Sequence, residues 1–460
     1  MTIACSRSVH AIVNLEVTLS SYKIIFIEYP LIRDNRELWD LIKRFHIILI
    51  KRKTALLALV CFFVCIGLIN IFMNLSSTKD QPLITQQNTS YVILATNDLG
   101  MHCYRSDFSA FMILPPANNI RVQVFLNEGK AAKLINSGID VSYKIIDNTT
   151  SADKINFWEY AKDYGYDIEP NIGITGNGLS GKMKLSEDGN YYEVTAIPIT
   201  PYNDGSTELN PYQLAVITIT DSDSGMELAS VDNVVVPVSD EMLCSNCHGT
   251  VNTSLDILKA HDRLSKTELV ADLKAGKRYK CSECHKDNIL KAPGKPDVLS
   301  LSQAMHGFHA DKMAQSDADP ECYSCHPGPI SKCYRSVMSS KGITCVNSEC
   351  HGDMQNVAST LAKGREAWFQ EPNCANCHDG KFSVNTDKLY SSSYLLNHSN
   401  PAMNGFILCE SCHNSPHAEW KSQNPIDNLL PTSILGYPSY INKCSVCHTG
   451  SGVIHAITLE

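Results

Sequence analysis

The stretch CSNCHGTVNTSLDILKAHDRLSKTELVADLKAGKRYKCSECH, residues 244–285, decides how this chain is read. It opens and closes on one pattern: two cysteines separated by two residues, then a histidine at once. Working outward, the pattern Cys244, Cys247, His248 and Cys281, Cys284, His285 recurs at Cys322, Cys325, His326 and at Cys374, Cys377, His378. It recurs again at Cys409, Cys412, His413 and at Cys444, Cys447, His448. A seventh version, Cys345, Cys350, His351, has four residues between its cysteines. A lone CxxC is read as a redox dithiol or half a zinc site. Neither chemistry requires histidine directly after every second cysteine. CxxCH is the attachment pattern of a c-type haem. Two thiols add to the porphyrin vinyls, and the adjacent imidazole reaches the iron from the same side.

Composition agrees with this reading. The 460 residues carry a net charge of -9 and only 19% charged residues, which gives no basis for nucleic-acid binding. Fourteen of the nineteen cysteines belong to the motifs. Attachment of c-type haem is completed outside the cytoplasm, so the cysteine usage implies export to the cell envelope.

The expected fold is an N-terminal transmembrane anchor, an antiparallel β-sandwich, and a multihaem cytochrome c domain of short helices and loops. Residues 1–53 form a segment with no clear period, expected in the cytoplasm. Residues 54–75 hold an apolar run, 54–73, long enough to cross a bilayer. Lysines and arginines precede it, so the following chain is expected outside the cytoplasm. Residues 76–89 read as a polar tether. Residues 90–240 contain YVILAT (91–96), IRVQVFLN (120–127), VSYKII (141–146), YYEVTAIPIT (191–200), LAVITIT (214–220) and VDNVVVPV (231–238), separated by Gly, Asn, Asp and Pro. These are strand signals of a sandwich. One helix is expected within 153–164 and another over 256–273. Residues 241–460 hold the haem motifs.

Each iron has a proximal histidine in its motif: His248, His285, His326, His351, His378, His413 and His448. Seven further histidines lie after the apolar run: His102, His261, His306, His309, His398, His417 and His455. They are the candidate distal ligands. His306 and His309 are three apart, on one face if the segment is helical, so they suit two haems on either side of that segment. His102 follows the strand YVILAT and is expected to tie the sandwich to a haem; the alternatives are an exposed loop histidine or a hydrogen-bonded one that closes the turn. Cys103 and Cys333 remain after haem attachment and are candidates for a disulfide.

Several stretches resemble a family of envelope multihaem c-type cytochromes from anaerobic, metal-reducing and related bacteria. They are NDLGMHC (97–103) with DFS and ILPP after it, VPVSDEMLCSNCH (236–248), AMHGFHA (304–310), CYSCHPGPISKC (322–333) and REAWFQEPNCANCH (365–378). The wide motif at Cys345 departs from the expected spacing. The resemblance implies electron transport across or beyond the cell envelope. The expected cofactors are seven covalent c-type haems, and the expected partners are redox proteins of the envelope. The competing function is a multihaem oxidoreductase of a small nitrogen or sulfur species, which needs one iron with an open position.

Overall fold

The computed structural model describes residues 3–4, 12–13, 91–128, 133–313, 321–372, 395–396 and 407–448. The chain divides into two compact units, Met1–Leu83 and Ile84–Glu460. In the first, the described residues form two short antiparallel strands, Ile3–Ala4 and Ile12–Val13.

The second unit is built on two five-stranded sheets. The strands used below are β1 (Tyr91–Asn97), β2 (His102–Cys103), β3 (Ile120–Leu126), β4 (Ile139–Ile145), β5 (Tyr192–Val194), β6 (Tyr212–Asp221) and β7 (Glu227–Ser239). In one sheet β3 lies between β1 and β5, all antiparallel. In the other, β6 pairs antiparallel with β4 and β7. β2 then adds to β7 in parallel, with His102 beside Val238 and Cys103 beside Ser239.

The alternating side chains of β4 and β6 turn Val141, Tyr143, Ala215, Ile217 and Ile219 into one core with Ile93, Val122 and Val124. β1 is buried almost throughout because both its faces are covered. Val92 and Leu94 point the other way and pack with Phe125 against Ile407, Ile441, Val446 and Cys447. A run such as YVILAT, apolar without alternation, is what a strand covered on both faces requires.

The expected fold class is corrected in three respects. Among the described residues no helix is long and apolar enough to cross a membrane, so no anchor is part of the described fold. The run 54–73 on which it was placed lies outside the described residues. The sheets are not purely antiparallel, because β2 joins β7 in parallel and Tyr279–Lys280 pairs in parallel with Phe111–Met112. Third, the motif region, expected as a further domain of short helices and loops, shares the core of the sheets within one unit. Trp420 and Leu430 belong to the core of the sheets. The physical reason is supply: among its described residues, 241–448 buries few apolar side chains, so it is packed onto a core that the strands provide.

Its helices are short. They include α1 (Thr253–Ser265), α2 (Leu301–Met313), α3 (Met354–Ala362) and α4 (Leu429–Leu435). The helix expected over 256–273 is broken. Lys266 takes a left-handed φ of 54°. The Asp262 carboxylate then accepts from the Leu269 and Val270 amides at 2.7 and 2.9 Å, capping the separate helix Leu269–Lys274. Within 153–164 only one turn forms, Phe157–Tyr160.

Candidate functional site

Each described CxxCH motif is a tight turn. In the first three, the histidine amide donates to the carbonyl of the first cysteine at 2.9 Å: His248 to Cys244, His285 to Cys281, His326 to Cys322. This contact spans four residues, as in one helical turn. Positions i, i+3 and i+4 share a face, so both thiols and the imidazole emerge together. The wide motif reaches the same closure. Cys350 and Gly352 both donate to the Asn347 carbonyl, so the extra residues fold into their own turn. His351 then donates to the Cys345 carbonyl at 3.3 Å.

The imidazoles meet in pairs. His248 lies 6.4 Å from His309 between ring centroids, and His285 lies 6.2 Å from His261. His326 lies 6.3 Å from His306, and His351 lies 6.4 Å from His417. Every pair joins one motif histidine to one histidine outside the motifs. An ion bonded by two imidazole nitrogens at ~2 Å each, on opposite sides, puts the ring centroids ~6.3 Å apart.

The second nitrogen of most of these rings is already engaged. Nδ1 of His306 donates to Ser302 O at 2.8 Å and that of His309 to Met305 O at 2.7 Å, both within α2. His285 Nδ1 donates to Leu299 O at 2.8 Å and His417 Nδ1 to Leu99 O at 2.9 Å. His261 Nδ1 is 2.9 Å from the Thr267 hydroxyl, which itself donates to Asp262. His351 Nδ1 faces Glu371 at 3.7 Å. Anchoring Nδ1 fixes the tautomer and leaves Nε2 as the nitrogen able to coordinate. Desolvation holds His248, His261, His306 and His351 below the ordinary histidine value, and pushes His417 down to about 4. These rings are therefore neutral near pH 7, the form that binds a metal.

The motifs also adjoin one another. Cys325 of the third is within electrostatic reach of Cys244 and Cys247 of the first. Cys322 of the third shares a hydrogen bond with Cys345 of the wide motif. Cys412 and Cys447, of the last two motifs along the chain (the sixth and seventh in chain order, counting the wide motif as the fourth), likewise sense each other. Burial pushes the thiols of Cys281 and Cys412 up to about 12. Thiol groups in that state are poor dithiol redox centres, which need an accessible thiolate.

Other candidates stand elsewhere. Among the described residues His102 is not paired with a motif histidine: its Nε2 donates to Asp98 Oδ1 at 2.6 Å. Asp98 is set there by β1, and Asn119 donates to its other oxygen at 2.7 Å. Burial alone would raise the Asp98 carboxyl, but His102, Arg121 and Asn119 hold it well below its ordinary value. His102 thus takes the turn-closing role that the sequence left open beside ligation. Cys103 and Cys333 are free thiols, so the expected bridge is not formed. The motif at Cys374, Cys377 and His378, with His398 and His455, lies outside the described residues. His413 of the sixth motif stacks on Tyr440 at 5.2 Å.

The expectation of a metal-binding protein in the ordinary sense is corrected. Among the described residues no group of three or more His, Cys, Asp or Glu converges as a shell for an ion. The imidazoles come in twos, which is too few for a structural zinc site. Two is the number a haem iron takes from a chain, because the porphyrin fills the other four positions. The residues present therefore fit a bis-histidine haem. Comparisons with protein-family models, curated proteins and solved structures find no match for this chain.

Proposed function

We propose that the chain is a multihaem c-type cytochrome that transfers electrons through low-spin, bis-histidine haems. The observation that carries this reading is the set of four histidine pairs, each 6.2–6.4 Å between centroids, each joining a CxxCH histidine to a distant one. The pairs that would hold the haem irons are His248 with His309, His285 with His261, His326 with His306, and His351 with His417. Cys345 and Cys350 are included as attachment residues because their motif closes on the same cysteine carbonyl as the others. His378, His413 and His448 are proposed as proximal ligands, with His398 and His455 as distal candidates. His102 is left out, since Nε2 is committed to Asp98.

Bound haem supplies one-electron chemistry at a low potential, as two imidazoles favour the ferric state. The motif thiols would hold the porphyrin, and the Nδ1 hydrogen bonds would orient the imidazoles. The motifs adjoin in an order that departs from the chain, second to first to third to wide, so haems held there would be neighbours in that order. Arg105 lies within reach of both Cys244 and Cys281, linking the first two. Export is proposed because haem attachment is completed outside the cytoplasm, and redox proteins of the envelope are the proposed partners.

One observation favours a second reading. With His102 engaged, six candidate histidines remain for seven distal positions. That leaves one iron open, as an oxidoreductase of a small nitrogen or sulfur species requires. Haem counting by pyridine haemochrome and adduct mass, with a low-temperature spin-state spectrum, tests both readings. Seven haems, all low-spin, fit electron transfer alone. A single high-spin ferric component moves the assignment to the second reading, and absence of haem removes both.

A further inference from the structure

We infer that the turn Asn97–Gly100 is the positioning element for His417, so that the sheets set the potential of the haem at the wide motif. This rests on the reading of His351 and His417 as an axial pair. In α2 the paired histidines His306 and His309 anchor Nδ1 on their own helix. His417 does not. It lies on no helix, and its Nδ1 donates to the Leu99 carbonyl, 318 residues away in the chain, at 2.9 Å.

The turn that offers this carbonyl is held from three sides. The Asn97 side-chain oxygen accepts from the Leu99 and Gly100 amides at 3.1 and 2.6 Å, while its Nδ2 donates to Asn119 O at 2.9 Å. Arg335, 1% exposed, donates through Nη2 to the Gly100 carbonyl at 3.0 Å. The Arg335 amide donates to the His417 carbonyl at 2.9 Å. A bidentate ion pair with buried Asp427, at 2.6 and 2.7 Å, holds the guanidinium still. One arginine thus ties together the backbone of the ligand and the turn that orients its ring.

Gly100 is required twice. Its φ of +96° is one that side chains rarely adopt, and a Cβ there would sit 3.0 Å from the His417 Cβ. The turn approaches the histidine as closely as a main chain can. A hydrogen bond from Nδ1 to a carbonyl raises the basicity of the imidazole and favours ferric iron, which lowers the potential. Moving the turn weakens that bond at one haem and leaves the other three pairs as they are.

The test uses the full-length holoprotein. Gly100→Ala is compared with Gly225→Ala, which adds the same methyl at a φ of +70° with nothing within 4 Å. Haem content is measured first, then a spectroelectrochemical titration and a low-temperature spectrum are recorded. The expected result is an upward shift of one haem component in Gly100→Ala, with a perturbed low-spin signal for that haem, and no shift in Gly225→Ala. If Gly100→Ala does not accumulate, Asn97→Ala loosens the same turn and gives a shift in the same direction. Unchanged potentials and spectra at full haem content, in whichever of these variants accumulates, overturn the inference. Wild-type protein without haem at Cys345 and Cys350 removes instead the reading on which it rests.

Discussion

Of the forty-seven buried apolar side chains among the described residues, thirty-nine lie in residues 91–240 and eight in 241–448. Exposed large apolar side chains run the other way. Leu185 and Met226 are the two in the first region; the second has ten, including Val251, Leu299, Met305, Phe308, Ile330 and Phe369. The strands close a core from their own side chains. The motif region has too few to do so, and its apolar groups stand beside its histidine pairs: Met305 and Phe308 share α2 with His306 and His309. Under the proposed function these side chains would meet porphyrin faces. The comparison teaches that one region closes an apolar core from its own side chains, while the other leaves apolar side chains open that, under the proposed function, porphyrins would cover.

Withholding the haems is the strongest way to break this comparison. In protein made without haem attachment, limited proteolysis is expected to cut 241–448 quickly and leave a resistant fragment within 91–240. Equal digestion of both regions, read by mass spectrometry, would show that the cores are not independent in this sense.

A smaller effect separates the regions by single side chains. Ile217 is fully buried and Phe308 is 43% exposed. In haem-free protein, Ile217→Ala is expected to lose ~2–5 kcal/mol of stability in urea unfolding. Phe308→Ala should stay within ~0.5 kcal/mol, as surface substitutions do. A large loss from Phe308→Ala would mean that α2 has a protein core of its own.

The seam between the regions gives the smallest effect, and a pH dependence. Glu410, 3% exposed in the sixth motif, is 3.2 Å from Arg121 on β3. Burial pushes its carboxyl from 4.5 up to about 7, against the pull of Arg121. The folded state therefore holds the proton more tightly than the unfolded state. This contribution to stability is complete below pH 4.5 and is lost as pH rises through about 7. Glu410→Gln should flatten that part of the stability-versus-pH curve. An unchanged slope in chemical denaturation between these pH values would exclude Glu410 as its source.

Much of this arrangement was legible, and the misses have causes. Each of the six expected strand segments contains strand, because β-branched runs bounded by turn residues have few other uses. YYEVTAIPIT yields only β5: Ala196 adopts a φ of 52° and Pro198 has no amide to donate. The helix over 256–273 was misjudged because its apolar period continues across Lys266, while Asp262 caps a new helix behind it. His102 looked like a ligand by counting. Counting does not see that Asp98 stands four residues earlier with an oxygen at 2.6 Å.

The sequence by itself determined the local grouping of each motif's side chains. Cysteine, cysteine and histidine at i, i+3 and i+4 share one face of a single turn, which is a local property of the backbone. Only the tertiary structure decided the partners. His309 faces His248 and His306 faces His326, although they share one helix; His417 faces His351 with its ring held from the other end of the unit, at Leu99. An imidazole pair needs two side chains within ~6.3 Å whatever their separation in the chain, and spacing along a sequence does not encode that distance.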